Sequence, residues 1–321
     1  MDNRKKIIID TDIGDDIDDV FALIAAISAD FDIVGITTVF RNTRERARMV
    51  KKLLSLYDGE FGSIPVYAGF GSAFGEEEME YPHLCQYTED LDSPMYAPDS
   101  DNPQDAVAFI AESCKKYGKD LTVAAIGPFT NIARVIEADG NALDMADRVV
   151  IMGGAFFKQY ADWNVMCDPV AARIMFDSLH NLECIGADVT HLLTLDKGLA
   201  YAVESYHGDN AAAEYISRLY RLWYDINNEP RFILHDALVM YYIADSSICT
   251  MEPAGIEVIC DGAAKGVTFN IDAYTKAYMN DYYQNRDMSK KALVASSVVL
   301  EKFKKYVSRD IENYFGSKFC E

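Results

Sequence analysis

The sequence has little positive charge and no long apolar run. Its 321 residues include 30 lysines and arginines against 51 aspartates and glutamates, a formal net charge of −21. Because an acidic surface repels a polyanion, this balance argues against nucleic acid as a partner. The longest apolar run, residues 20–27, is far too short to cross a membrane. We therefore expect neither a nucleic acid nor a membrane as partner.

The seven cysteines also lack the pattern of a disulfide framework. Their number is odd and no two are spaced as CxxC, so they predict free thiols in a reducing compartment. Near the N-terminus, the isoleucine run of residues 7–9 is followed directly by Asp10, which leaves no apolar segment as long as a secretory signal requires. These features predict a cytoplasmic protein.

What the sequence does contain is a regular alternation of short apolar runs and helix-period segments. Runs rich in β-branched residues predict strands, and the amphipathic segments between them predict helices. The predicted strands cover residues 6–10, 33–39, 121–126, 148–152 and 183–187. This alternation is typical of an α/β fold with an open, mostly parallel sheet flanked by helices.

The rest of the chain completes this prediction. After about residue 195 it is predicted to be mainly helical, with helices over 210–223, 236–244 and 289–314. The acidic stretch 71–102 has no clear period, which predicts a long loop over one end of the sheet, the usual place of a lid. No repeat or Pro/Gly/Ser linker divides the chain, so we expect residues 1–321 to form a single domain.

Six aspartates lie within ten residues, from Asp10 to Asp19, directly after the first predicted strand. So many carboxylates in one turn repel one another unless a cation neutralises them, and oxygen ligands suit a hard ion such as Ca²⁺ or Mg²⁺. Capping of the next helix explains two or three of these acids, but not Asp10 and Asp12 at the strand end. An EF-hand loop needs glycine at its sixth position, and a loop counted from Asp10 would have Asp15 there, so an EF-hand is excluded. The cluster therefore predicts a metal site.

Seven motifs in register resemble those of the inosine-uridine preferring nucleoside hydrolases. The segment from Asp10 to Gly14, with Asp18 and Asp19, resembles their DTDxG…DD signature. The other six motifs follow in the same order and include residues 37–42, 126–131, 152–154, 162–169, 188–190 and 235–237. The resemblance covers residues 6–240. It implies a Ca²⁺-dependent enzyme that hydrolyses ribonucleosides to ribose and free base, and it implies a homodimer or homotetramer.

The resemblance also implies roles for single residues. The implied Ca²⁺ ligands are Asp12, Asp19, the main-chain carbonyl of Ile126, and Asp236. Asp12 would also act as the general base towards the attacking water, and His235 would assist the leaving base. The implied substrate-binding residues are Asp18, Asn42, Met152, Asp162, Asn164 and Asp236. Of these, Met152 fits core packing as well as a contact under the sugar.

The chain departs from the family pattern in the acidic turn. Three residues separate Gly14 from the second Asp pair, where the family has one, so Asp15 and Asp16 are alternatives to Asp18 and Asp19. The helical spacing of the apolar residues favours Asp18 and Asp19, because the apolar face of the predicted helix begins next to this pair. The loop 71–102 also lacks the HGxDGLG segment of many members.

Other assignments stay open in the sequence. The nucleobase is not defined, although Tyr224, Arg231 and Phe232 precede His235 and are candidate contacts to it. Thr130 and Asn131 are interpreted as a helix cap, and His191 as structural or on the surface. A strand followed by DxD also begins the haloacid-dehalogenase-like phosphatases, although these have Thr or Val at the position of Gly14. A catalytically idle nucleoside-binding relative is the third hypothesis.

Overall fold

An eight-stranded sheet forms the centre of the computed structural model, which describes residues 4–57, 59, 61–158, 160–195, 197–227, 232–272 and 291–316. The strands are β1 Lys6–Thr11, β2 Asp32–Thr38, β3 Val66–Ala68, β4 Leu121–Ala125, β5 Arg148–Met152, β6 Leu182–Ile185, β7 Cys249–Ala254, β8 Ile256–Val258, β9 Thr268–Asn270 and β10 Ala292–Val298. The order in the large sheet is β3-β2-β1-β4-β5-β6-β10-β7, while β8 and β9 pair separately. Every neighbour in the large sheet is parallel except the pair of β7 and β10.

Helices cover both faces of this sheet. They are α1 Asp18–Ser28, α2 Thr43–Ser55, α3 Pro103–Tyr117, α4 Thr130–Ala138, α5 Ala142–Met145, α6 Trp163–Cys167, α7 Pro169–Ser178, α8 Ala187–Thr190, α9 Lys197–Glu204, α10 Ala211–Asn227, α11 Ala237–Ala244 and α12 Leu300–Phe315. Side chains of a strand alternate between the faces, so Ile7 and Ile9 of β1 pack in the core that contains α1 and α11, whereas Ile8 packs in the core that contains α4 and α7. Burial on both faces explains the continuous apolar runs of these strands.

The predicted α/β fold, with its mostly parallel sheet and mainly helical C-terminal part, is confirmed. The five predicted strands lie within two residues of the ends of β1, β2, β4, β5 and β6. The edge strands β3 and β7 were not predicted. Since an edge strand pairs on one side only, it can be short, like β3, or contain a proline, like Pro253 of β7.

The prediction of one helix over residues 289–314 is wrong in its first half. Residues 292–298 form β10 between β6 and β7, and α12 begins only at Leu300. Ala292 and Val294 are buried while Leu293 is 37% exposed, which is the alternation of a strand. The spacing of the apolar residues in this segment fits the period of a helix as well as that of a strand. The segment forms a strand because it can pair with two neighbouring strands. Residues 289 and 290 lie outside the described residues.

Residues 71–102 form a connection without a long element. They contain the short 3₁₀ turns Glu89–Asp92 and Pro94–Tyr96 and no α-helix or sheet strand among the described residues. The role of this loop as a lid stays a prediction. None of the helices in the described ranges is long and apolar enough to span a membrane. The six cysteines in those ranges are all free.

Asn131 joins the carboxyl ends of β1 and β2. Its amide donates to Asp10 Oδ1 at 2.7 Å and to the carbonyl of Thr38 at 3.1 Å, and its Oδ1 accepts the N–H of Phe70 at 3.0 Å. The interpretation of Thr130 and Asn131 as a helix cap is therefore wrong, since α4 has no side-chain cap. Thr130 instead donates to the carboxylate of Asp168 at 2.6 Å. These side chains reach other segments because their own helix end is packed against the strand ends.

Replacement of Asn131 by alanine tests this joint. The variant leaves the buried N–H of Phe70 without its partner and removes one of the two donors to Asp10 Oδ1 and to the Thr38 carbonyl, so we expect the free energy of unfolding to fall by about 2–4 kcal/mol. Urea denaturation of Asn131→Ala and of wild-type protein measures the difference. The control is Asn141→Ala at an exposed position, which should change stability by less than about 0.5 kcal/mol. Equal stability of the Asn131 variant and the control would contradict the prediction.

Candidate active site

A cavity of about 570 Å³ opens where β1, β4, β5 and β6 end at their carboxyl edge. This is the usual ligand position in a parallel sheet. Its wall includes seven aspartates and, among the described residues, no lysine or arginine. The aspartates are Asp12, Asp15, Asp16, Asp18, Asp19, Asp162 and Asp236, and they are joined by Ile126, Met152, Asn164, Tyr160, Trp163, His191 and His235.

Three carboxylates converge in this wall. Asp18 and Asp19 lie in the first turn of α1, and Asp236 directly precedes α11, the helix that packs beside α1. One carboxylate oxygen of each lies within 4.8 Å of the others, and all three side chains are buried. Burial and the neighbouring carboxylates raise the pKa of each well above its ordinary value. This triad can hold a metal ion.

A hard divalent cation fits these donors. All three side chains offer carboxylate oxygens as metal ligands, and all three are buried. Among the described side chains, the hydroxyl of Thr11 is the one neutral group that donates a hydrogen bond to Asp19. The half-buried Asp12 lies close enough for its charge to raise the pKa of all three acids, and burial raises the pKa of Asp12 itself to about 7. A bound cation would reduce the repulsion among these carboxylates, which the charge of Arg46 offsets only in part.

Only some of the predicted metal ligands belong to this triad. Asp19 and Asp236 belong to the triad, whereas Asp12 lines the same cavity beside it. Asp18, predicted to bind the sugar, is the third member of the triad. The carbonyl of Ile126 accepts the amide of Asn164 at 2.8 Å and lies in the cavity wall.

The extra acids of the turn have other partners. Asp15 accepts from Arg46 Nη2 at 2.7 Å, and Asp16 accepts from the main-chain N–H of Ile17 at 2.6 Å. Neither belongs to the described triad. The later pair, Asp18 and Asp19, is thus the one that approaches Asp236.

The other predicted substrate residues differ in position. Asn164 is buried, and its amide donates to the carbonyls of Ile126 and Met152 at the ends of β4 and β5. Asp162 caps α6 through the N–H of Val165 at 3.2 Å, and burial raises its pKa. Met152 is 5% exposed and lines the cavity, so it packs in the core and faces the site at once.

Asn42 does not line the cavity. It is half-buried and precedes α2, without a capping hydrogen bond from its side chain. The two residues before it, Phe40 and Arg41, have φ angles of 72° and 57°, which turn the chain at this point. A contact between Asn42 and the sugar stays a prediction.

His235 lies in a group of aromatic side chains in the cavity wall. Its Nδ1 is 2.7 Å from the hydroxyl of Thr190, and its ring packs edge-on against that of His191 at 5.3 Å. His191 in turn stacks on Tyr160, whose hydroxyl is 3.0 Å from His191 Nδ1. Burial and the neighbouring His191 lower the pKa of His235 to about 4.

The sequence interpretation missed Tyr160 and His191 as cavity residues. His191 follows the motif 188–190 at the carboxyl end of β6, which is the signal that could have found it.

By contrast, Phe232 is 2% exposed and packs edge-on against Phe21 at 5.0 Å in the core. Tyr224 stacks on Tyr220 away from the cavity wall, and Arg231 lies outside the described residues.

Comparisons with known proteins relate the chain to nucleoside hydrolases. The family model of the inosine-uridine preferring nucleoside hydrolases matches residues 7–305. The probable uridine nucleosidase 2 of Arabidopsis thaliana is 27% identical in an alignment of 279 positions that covers 83% of this chain and 85% of that protein. The structure of the purine-preferring ribonucleoside hydrolase from Gardnerella vaginalis superposes with a TM-score of 0.77 at 25% identity, over 97% of this chain and 99% of that one. A plant nucleoside hydrolase superposes with a TM-score of 0.77 at 23% identity, over 96% and 98% of the two chains.

Replacement of Asp236 by asparagine tests the metal triad. The variant keeps the size of the side chain but removes one of three converging charges, so we expect the affinity for a divalent cation, with Ca²⁺ as the probe, to fall by about tenfold or more. Isothermal titration calorimetry measures the affinity, and the rise of the melting temperature with Ca²⁺ checks it independently. Asp209→Asn, at an exposed position, is the control. Wild-type affinity in the Asp236 variant would show that this carboxylate is not a ligand.

Proposed function

The chain belongs to the family of inosine-uridine preferring nucleoside hydrolases, and we propose that it hydrolyses the N-glycosidic bond of ribonucleosides to ribose and a free base. The observation that carries this proposal is the composition of the cavity wall. Carboxylates that can hold a metal ion and a histidine held by a hydroxyl line one cavity, whose volume of about 570 Å³ suits a small ligand.

The charges of the wall favour the chemistry of glycoside hydrolysis. The reaction passes through a transition state that resembles an oxocarbenium ion, so positive charge develops on the sugar. Carboxylates fixed around the sugar stabilise that charge without reorganising. We assign Asp18, Asn42, Asp162, Asn164 and Asp236 to the substrate, with Met152 beneath the sugar.

We assign a Ca²⁺ ion to Asp12, Asp19, Asp236 and the carbonyl of Ile126. When bound, such an ion orients a water molecule and lowers its pKa. Asp12 would accept a proton from the attacking water at its carboxylate. Gly127 leaves the space that this carboxylate needs, because a Cβ there would lie 3.0 Å from Asp12 Oδ1 and 2.9 Å from the main-chain nitrogen of Asp12.

His235 is assigned to the leaving base. The hydroxyl of Thr190 occupies Nδ1, so Nε2 is the nitrogen that can serve the substrate. In the neutral imidazole with its proton on Nε2, this N–H donates to the base as negative charge develops on it. The departing base then takes a proton from solvent water, and Asp12 returns to the solvent the proton that it accepted.

The same wall argues against a phosphatase. Phosphate recognition normally uses Arg, Lys or main-chain donors, and seven aspartates without a described basic side chain would repel a phosphate group. We therefore propose a nucleoside, not a nucleotide, as substrate. The relatives are named for uridine and for purines, so both base classes belong in a substrate panel. A cytoplasmic location and a homodimer or homotetramer complete the proposal.

Paired ribo- and 2′-deoxyribonucleosides test the assignment of the sugar contacts. Loss of the 2′-hydroxyl leaves buried groups such as Asp18 and Asn164 without their partner, so we expect kcat/KM to fall by about 100-fold or more, mainly through kcat. Release of free sugar from uridine and 2′-deoxyuridine, and from a purine pair, measures the effect. Equal turnover within each pair would refute the assignment, and no turnover of any ribonucleoside would support the idle relative.

Two variants separate the roles of Asp12 and His235. Asp12→Asn removes the proton acceptor, so we expect hydrolysis to fall by about 10³-fold or more for every substrate. His235→Ala should impair natural nucleosides strongly but leave p-nitrophenyl riboside nearly unaffected, because p-nitrophenolate departs without a proton. Steady-state kinetics on both substrates give the comparison. If both variants lose activity equally on the two substrates, His235 supports Asp236 and the metal rather than the leaving base.

A further inference from the structure

We propose that Arg46 is a positioning residue, which holds the acidic turn after β1 in the arrangement that binds the metal. This inference rests on the proposed metal-dependent function. Arg46 belongs to α2 and does not line the cavity, so it acts through the turn and not on the substrate. Its side chain is fully buried, at 0% exposure.

Each part of the guanidinium group has a partner in one of two loops. Nε donates to the carbonyl of Phe40 at 2.7 Å, and Nη1 donates to the carbonyls of Asp12 and of Ile13, the latter at 2.8 Å. Nη2 donates to Asp15 Oδ2 at 2.7 Å. One planar group thus fixes the loop after β1 to the loop after β2. A single ammonium group cannot reproduce this fork.

The loop after β2 needs such a restraint. Phe40 and Arg41 have positive φ angles, 72° and 57°, which are unfavourable for residues with a Cβ. The strained turn is held from both sides, since the N–H of Phe40 donates to the carbonyl of Phe70 at 2.9 Å while its carbonyl accepts from Arg46. Strain of this kind persists only where the surroundings fix it.

Asp15 supplies the counter-charge for the buried guanidinium. It is one of the three residues that separate Gly14 from the pair Asp18 and Asp19. It also accepts the N–H of Cys85 at 3.3 Å, while the N–H of Gln86 donates to the carbonyl of Gly14 at 3.1 Å. Arg46 and Asp15 therefore hold the turn between α2 and the long loop.

The consequence for the metal follows from Asp12. Arg46 holds the main-chain carbonyl of the residue whose carboxylate lies beside the triad. If Arg46 no longer held the carbonyls of residues 12 and 13, the turn would sample other conformations. Binding of the metal ion would then have to order the turn. Loss of an outer partner of this kind typically weakens metal binding by about 10–100-fold.

The test uses Arg46→Lys, which keeps the charge but loses the fork, and Asp15→Asn, which removes the counter-charge. Ca²⁺ affinity is measured by calorimetry on full-length protein without substrate, and folding is checked by circular dichroism. Arg48→Lys is the matched control, because Arg48 lies on the same helix and donates to the single carbonyl of Leu91 at 2.8 Å. We expect Arg46→Lys and Asp15→Asn to bind Ca²⁺ about tenfold or more weakly, and the control to bind like wild type.

Activity provides a readout that a general loss of structure would not give. If Arg46 only positions the turn, kcat of Arg46→Lys should return towards the wild-type value at saturating Ca²⁺, because the reacting groups are intact. Wild-type Ca²⁺ affinity in both folded variants would overturn the proposal. If Arg46→Lys does not fold, Asp15→Asn decides by the same criterion. A wild-type protein that binds no Ca²⁺ would instead refute the proposed function, and this inference with it.

Discussion

Repulsion between buried carboxylates is the constraint on which the site depends. Six aspartates lie within residues 10–19, and the fold offsets their charge in different ways. Asp10 is held by neutral donors, the hydroxyl of Thr37 and the amide of Asn131. Asp15 is held by the guanidinium of Arg46. The pair that begins α1 instead faces a third carboxylate at the start of α11, so negative charge converges at that one place.

This division explains how the acidic turn keeps its register. Asp15 and Asp16 precede the pair that begins α1, and their carboxylates would crowd the triad if they joined it. Asp15 is turned towards α2, and Asp16 is bound by the first free N–H groups before α1, which favour an anion. The first turn of α1 can then present its own two acids to α11. The ion pair of Asp15 and the main-chain hydrogen bond of Asp16 thus hold these two acids outside the triad.

Local sequence patterns predicted the central strands and the acidic cluster because both signals lie within a few residues. Strands buried on both faces are continuous apolar runs, and six acids in one turn need no partner to be noticed. The errors concern contacts between distant segments. Residues 292–298 become a strand only beside β6 and β7, and Asn131 reaches Asp10 across 121 positions. The same holds for Arg46, which is one of five basic residues in the amphipathic helix α2 and resembles a solvent-exposed arginine in sequence.

The positions of the positive charges bear on the chemistry as much as those of the acids. Arg46 contacts the turn from outside the cavity, through main-chain carbonyls and Asp15, and the donors to Asp10 Oδ1 are uncharged. The described residues of the cavity wall thus include no basic side chain. A basic group in that wall would oppose the positive charge that develops on a sugar during glycosidic cleavage. The fold thus restrains the acidic turn from behind and leaves its negative potential directed into the cavity.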